Sequence, residues 1–140
     1  MRVIFCRRHQ IGSFLLRVAL RSSWSHCGVV TKDGKHVIHA AAFRGVVKDP
    51  YDEFIAGHSK IALREIELPD DDAAYSFLDE QLGKGYDWFG VLGIGFNRKW
   101  EDDTNWYCNE LVEGAAKAGG RQRFINDVWR IVPQHTWMVR

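Results

Sequence analysis

Only three prolines and three cysteines stand among the 140 residues, and the charges nearly cancel, with 19 Lys and Arg against 18 Asp and Glu. Each scarcity excludes something. The cysteines, Cys6, Cys27 and Cys108, are odd in number and widely spaced. That argues against a disulfide framework and favours a reducing compartment or at least one free thiol. A net charge of +1, without a basic stripe or polybasic tail, argues against a nucleic-acid partner. The longest apolar runs, such as WFGVLGIGF, fall far short of the roughly 20 residues that span a bilayer. The apolar run in MRVIFCRRH is broken by Arg7 and Arg8 too early for a secretory signal. No signal peptide or transmembrane segment is therefore expected, and the cytoplasm is the default location. Repeats, low-complexity tracts and Pro/Gly/Ser-rich linkers are absent as well.

What is present is enough apolar material for a core: 46% hydrophobic and 13% aromatic residues over a length that suits one domain, 1–140. IGSFLLRVALRSSW carries Ile11, Phe14, Leu15, Val18 and Ala19 at helical spacing. HCGVV and HVIHAA read as strands joined at Asp33-Gly34, a strong hairpin-turn signal. FRGVVKD reads as a third strand ended by Asp49-Pro50, and KIALREIEL as a further one. PDDDAAYSFLDEQL is a helix whose acidic first turn suits the positive end of its dipole. YDWFGVLGIGF reads as a helical or irregular apolar piece. In TNWYCNELVEGAAKAGG, Thr104 or Asn105 caps the start, Gly119-Gly120 ends it, and Cys108, Leu111, Val112, Ala115 and Ala118 form the apolar stripe. RIVPQHTWMV reads as a closing strand. Strands and helices without regular alternation predict an α+β fold with an antiparallel sheet.

Two features carry candidate chemistry. A thiol in the first turn of a helix sits in the field that favours thiolate, the nucleophilic form, so Cys108 is either an activated nucleophile or an inert core cysteine. The hairpin then selects among six histidines. If Asp33 and Gly34 form a two-residue loop, Gly28 faces His39 and His26 faces Ala41. His26, Gly28 and His39 then share a face, with His26 and His39 as diagonal neighbours roughly 7–8 Å apart, within reach of each other's rings. Gly28 leaves open space opposite His39. Cys27 points to the other face and is expected to pack behind the sheet as a bystander. The bland alternative for both histidines is half-buried sheet residues. A Cys6–His9 metal site is weak, because C-x-x-H lacks a second ligand pair.

The run SHCGVV, then DG, then HVIHAA, followed much later by WYCNELV, resembles the permuted NlpC-type, papain-like cysteine hydrolases. The closest likeness is to YiiX/YebB-like members, with lecithin:retinol acyltransferase-like proteins as relatives. In that superfamily a histidine opens a strand as H-x-G, a polar residue follows on the next strand, and the cysteine comes last, at a helix start, in a C-x-E context. His26 matches the first, His39 the second, Cys108 the nucleophile and Glu110 the acid. IGSFLLR and SSWSH resemble the lead-in, and YDWFGVLGIGF the aromatic segment before the cysteine helix, so the likeness runs from about Ile11 to Pro133. Cys27 departs from the pattern, in which a hydrophobic residue is more usual, and the lead-in lacks a clear Gly-Asp start.

The resemblance implies a circularly permuted papain-like fold with an antiparallel sheet packed against the helix that carries the cysteine. It implies a Cys108–His26–His39 triad acting through a thioester acyl-enzyme; no cofactor and no metal are expected. His26 would serve as base and His39 would orient it. Glu110 more naturally caps the helix than joins the chemistry, since a carboxylate beside a thiolate opposes its ionisation. Trp24, Trp88, Phe89, Trp106 and Tyr107 either grip substrate or pack the core. Tyr107 and Trp24 are thus possible supporting residues. The expected substrate is a peptide or a peptidoglycan stem fragment. The alternatives are a lipid acyltransferase or thioesterase acting on an acyl-lipid, and a binding module without turnover. No feature sets an oligomeric state.

Overall fold

A computed structural model describes residues 1–7, 18, 22–87, 105–124 and 131–139. Five strands, β1 (Arg2–Arg7), β2 (His26–Val30), β3 (His36–Ala41), β4 (Gly45–Pro50) and β5 (Lys60–Glu65), form a sheet in the order β4-β3-β2-β1-β5. Every pairing in it is antiparallel. The described helices are α1 (Tyr51–Ala56), α2 (Asp71–Glu80), α3 (Cys108–Ala118) and α4 (Pro133–Met138). The α+β class and the antiparallel sheet against the cysteine helix match the expectation.

The interior strand β1, between β2 and β5, is the element the sequence does not announce. Val3, Ile4, Phe5 and Cys6 are all buried, because β1 is covered on both faces. A strand buried on both sides is a continuous apolar run, and the alternation that betrays half-buried strands is missing.

The β2–β3 register follows the predicted parity, pairing Val29 with Ile38 and Val30 with Val37. The loop itself is longer than predicted. Thr31 N–H donates to the His36 carbonyl (2.9 Å), so Lys32–Lys35 form the turn, with Gly34 at φ 72° donating to the Thr31 carbonyl. Asp33 holds this turn by accepting from Thr31 Oγ1 (2.6 Å) and the Lys35 N–H (3.0 Å). Adding one residue on each side leaves the parity unchanged. The next turn brings Ala41 opposite Gly45, and therefore His39 opposite Val47. Gly45 has φ 73°, and a Cβ there would lie 2.0 Å from the Lys84 carbonyl oxygen, so only glycine fits.

Two expected boundaries are corrected. Helix α3 starts at Cys108, with Tyr107 as the cap residue rather than Thr104 or Asn105. Trp106 donates its N–H to the Gly85 carbonyl and accepts from Asp87 N–H (3.1 Å each), which holds this stretch extended beside Tyr86. The closing segment is a helix, α4, not a strand. Proline at the first helical position loses no bond. His135 Nδ1 accepts from the Val132 N–H (3.3 Å). The buried Glu113 carboxylate binds α4 to α3, taking a hydrogen bond from Thr136 Oγ1 (2.8 Å) and an ion pair from Arg123 (3.0 Å). The predicted helix around Ile11–Ala19, apart from Val18, and WFGVLGIGF lie outside the described residues.

The sheet separates two clusters. On one face Val3, Phe5, Cys27, Val29, Ile38 and Ala40 pack with Leu111, Val112 and Ala115 of α3 and Leu78 of α2. On the other, Ile4, Cys6, Val30 and Val37 pack with Phe54 of α1. Among the described residues no helix is long and apolar enough to cross a membrane.

Candidate active site

Cys108 is the first residue of α3 and is 7% exposed. Its position at the helix start is secured by Glu110, whose Oε2 accepts from the Tyr107 N–H (3.3 Å). That is a capping contact. The thiol is held well below its ordinary pKa. The largest cause is a hydrogen bond from the Cys27 thiol. Burial opposes it, and a hydrogen bond and positive charge from His26, with a backbone bond from Cys27, carry it further down.

Cys27 is therefore not a bystander. It does face away from His26, as strand alternation requires, but α3 packs on that same face and brings Cys108 to it. Burial and the neighbouring Cys108 push the Cys27 thiol up, so it keeps its proton. That proton has two acceptors in reach: the Cys108 sulfur and Asn109 Oδ1 at 2.9 Å. Asn109 is fixed in turn by donating to the Ile131 carbonyl (2.9 Å).

On the other face His26 Nε2 meets His39 Nδ1 at 2.9 Å, with the rings edge-on and 5.0 Å between centroids. Phe54 packs edge-on against His39 at 4.8 Å and lies 6.2 Å from His26, roofing the pair. Because His26 opens β2, its ring sits at the end of the sheet. There an imidazole on one face can meet a thiol arriving on the other. Gly28 leaves no open space. A Cβ there would come within 2.9 Å of His39 Cβ and of Val37 Cγ1, so the bare glycine is what lets His39 lie close.

The chain of contacts continues beyond the residues read from sequence. His39 Nε2 lies 3.1 Å from Asp49 Oδ2, and Arg44 pairs with the same carboxylate, with Nη1 donating to Oδ2 at 3.1 Å. Burial, reinforced by the charge of His26, lowers the His39 pKa to about 3 despite Asp49, so this ring is neutral and its link to Asp49 is a hydrogen bond. For Asp49, burial is outweighed by the bonds from Arg44 and His39, and the carboxyl stays below the usual range. In the sequence Asp49 reads only as a strand end. The β3–β4 register held the missing signal: Asp49 lies two residues beyond Val47, the residue opposite His39, and so on the same face.

The candidate aromatics are mostly packed away. Trp24 is 5% exposed and sits against Phe5 and Trp137. Tyr107 is 2% exposed and donates its hydroxyl to the Ile131 carbonyl (3.3 Å). Trp106 packs edge-on against Phe77 and donates to Gln81 Oε1 (3.2 Å). Trp88 and Phe89 lie outside the described residues. Tyr86 is one that sequence reading passed over. Burial, then the negative charge that Cys108 can carry, raises its pKa, which keeps its hydroxyl a proton donor.

No protein-family model and no curated protein matches the chain. Among solved structures, it is similar to a protein from Escherichia coli O157:H7 described as the metalloprotein YiiX, of the DUF1105 family. The two share 24% sequence identity at a TM-score of 0.67, over 87% of this chain and 67% of that one. The chain thus has a YiiX-like fold. Among the described residues no group of three or more His, Cys, Asp or Glu is arranged to hold a metal ion, and the facing nitrogens of His26 and His39 are turned on each other. The residues described do not fit a metal.

Proposed function

We propose that this protein is a cysteine hydrolase that cleaves an amide bond, in a peptide or a cell-wall stem fragment, through a thioester acyl-enzyme. The observation that carries the reading is the juxtaposition at the sheet end. A helix-start thiol held as thiolate is hydrogen-bonded to an imidazole whose far nitrogen is 2.9 Å from a second imidazole. Core cysteines rarely have such company, and strongly perturbed groups with specific partners favour functional sites.

In the proposed reaction Cys108 Sγ attacks the carbonyl carbon while the carbonyl π pair moves onto oxygen. The Cys108 backbone N–H, at the positive end of α3, is the candidate donor to that oxyanion. Collapse breaks the C–N bond, and the amine leaves with a proton from His26. Water then adds to the thioester, giving its proton to His26. The acid departs and the thiolate is restored. The His26 nitrogen that serves is Nδ1, because Nε2 is engaged by His39. Cys27 contributes as a neutral hydrogen-bond donor to the thiolate.

The test is turnover of peptidoglycan stem peptides beside acyl-lipids, with Cys108→Ala as control. Amine release that depends on Cys108 supports the reading. Release of fatty acid or acyl transfer alone would replace it with the lipid alternative, and tight binding without turnover would make the chain a binding module.

A further inference from the structure

We infer that Asp49, anchored by Arg44, is a positioning residue that fixes which nitrogen of each imidazole keeps its proton, and so makes His26 Nδ1 the nitrogen that gives and takes the proton beside Cys108. This rests on the proposed thiol chemistry, but its physical core can be checked without it. Asp49 as a carboxylate has no proton to give, so at 3.1 Å it can only accept from His39 Nε2–H. A neutral His39 has one ring proton. With that proton on Nε2, its Nδ1 is a lone pair. At 2.9 Å that lone pair must accept from His26 Nε2–H. His26 Nε2 thus keeps its proton throughout, so the proton that His26 gives up and takes back is the one on Nδ1, where Nδ1–H donates to the Cys108 thiolate at rest. The opposite assignment would set the His39 Nε2 lone pair against a carboxylate oxygen, which is repulsive.

The direction of the relay is therefore set at its outer end. His39 is symmetric as a donor and acceptor and cannot set a direction by itself. Among the described residues Arg44 is the charged group on this carboxylate, and it donates to both oxygens. It keeps Asp49 ionised and holds Oδ2 toward His39. The groups facing His39 are thus His26, Asp49, the Phe54 ring and, behind Phe54, the His58 ring 4.7 Å from it. His58 Nδ1 is engaged by the Phe54 carbonyl (2.6 Å) and does not compete.

The experiment reads the ring nitrogens directly, by long-range proton–nitrogen correlation on protein labelled with nitrogen-15 in histidine. In the wild type at pH 7, His39 should carry its proton on Nε2 with Nδ1 bare, and the Nε2 of His26 should be protonated. Asp49→Leu, which fills the space but cannot accept, and Asp49→Ala should both mix the His39 tautomers. Each should also slow alkylation of Cys108 at pH 7 by roughly tenfold, the equivalent of about one pKa unit. A wild-type His39 protonated on Nδ1 would overturn the inference. So would unchanged ring signals in both variants. If the wild-type thiol proves unreactive while the ring pattern is as stated, the hydrolase reading fails and the tautomer assignment stands.

Discussion

In the proposed reaction, the two faces of the sheet prepare its two halves by opposite means. On the α3 face the nucleophile is buried among Leu111, Val112 and Ala115, and its ionisation is supported by a neutral thiol. On the α1 face the base belongs to a polar line that runs outward from His26 through His39 and Asp49 to the exposed Arg44. Apolar packing sets the position of Cys108. Hydrogen bonds set the proton pattern of the histidines. Alternation along β2 feeds both, sending Cys27 to one side and His26 and Gly28 to the other.

The largest way to break the comparison is to cut the link between the faces. His26→Ala should lower turnover by about 100-fold or more, the usual loss when a general base is removed, and should raise the pH at which Cys108 is alkylated. The core on the α3 face should be untouched, so melting should change little. If the melting temperature collapses while the thiol profile holds, the two faces are joined by packing rather than by chemistry.

Next comes acid. His39 has a folded pKa of about 3 against the usual 6.5, so it stabilises the fold fully above pH 6.5. As pH falls toward 3, the unfolded chain takes up a proton that the folded chain refuses. Stability drops by at most about 1.4 kcal/mol per pH unit in that window. Asp49, with a lowered folded pKa, adds to the loss in the same direction at the acid end. Denaturant titrations from pH 7 to pH 4 should show this slope, and His39→Gln should flatten it. An equal slope in that variant would place the acid sensitivity elsewhere.

A smaller effect comes from Gly28→Ala, whose new methyl meets His39 and Val37 at 2.9 Å. We expect a cost of about 1–3 kcal/mol in chemical denaturation, together with slower Cys108 alkylation as His39 is displaced. Loss of stability with unaltered thiol kinetics would separate Gly28 from the relay. The smallest expected change in turnover is that of Cys27→Ala, which leaves His26 and Cys108 in place. It removes the donor that does most to lower the Cys108 pKa and should move the alkylation profile upward by about one pH unit or more, leaving His26 dependence intact. A shift downward would mean that Cys27 competes for the negative charge instead of supporting it.

How much of this was legible in the sequence differs between the faces in the same way. The His26–His39 proximity followed from one turn and strand parity, and it survived a loop two residues longer because each side grew equally. The Cys27–Cys108 contact was hidden. It depends on which face α3 covers, and two strands buried on both sides give no hint of that. β1 was missed for the same reason, since Val3 through Cys6 carry no alternation. Asp49 was readable in principle, but only once the Ala41–Gly45 pairing fixed the second register. The start of α3 was misplaced by three residues or fewer because Trp106 is held extended by Gly85 and Asp87, contacts remote in sequence from the cap.

The most direct measurement is the pH dependence of alkylation of Cys6, Cys27 and Cys108, each followed by mass spectrometry in the wild type and in His26→Ala. Cys108 should react first near neutral pH, Cys6 and Cys27 should lag, and the mutant should slow Cys108 alone. Reaction at Cys27 with Cys108 inert would contradict the account.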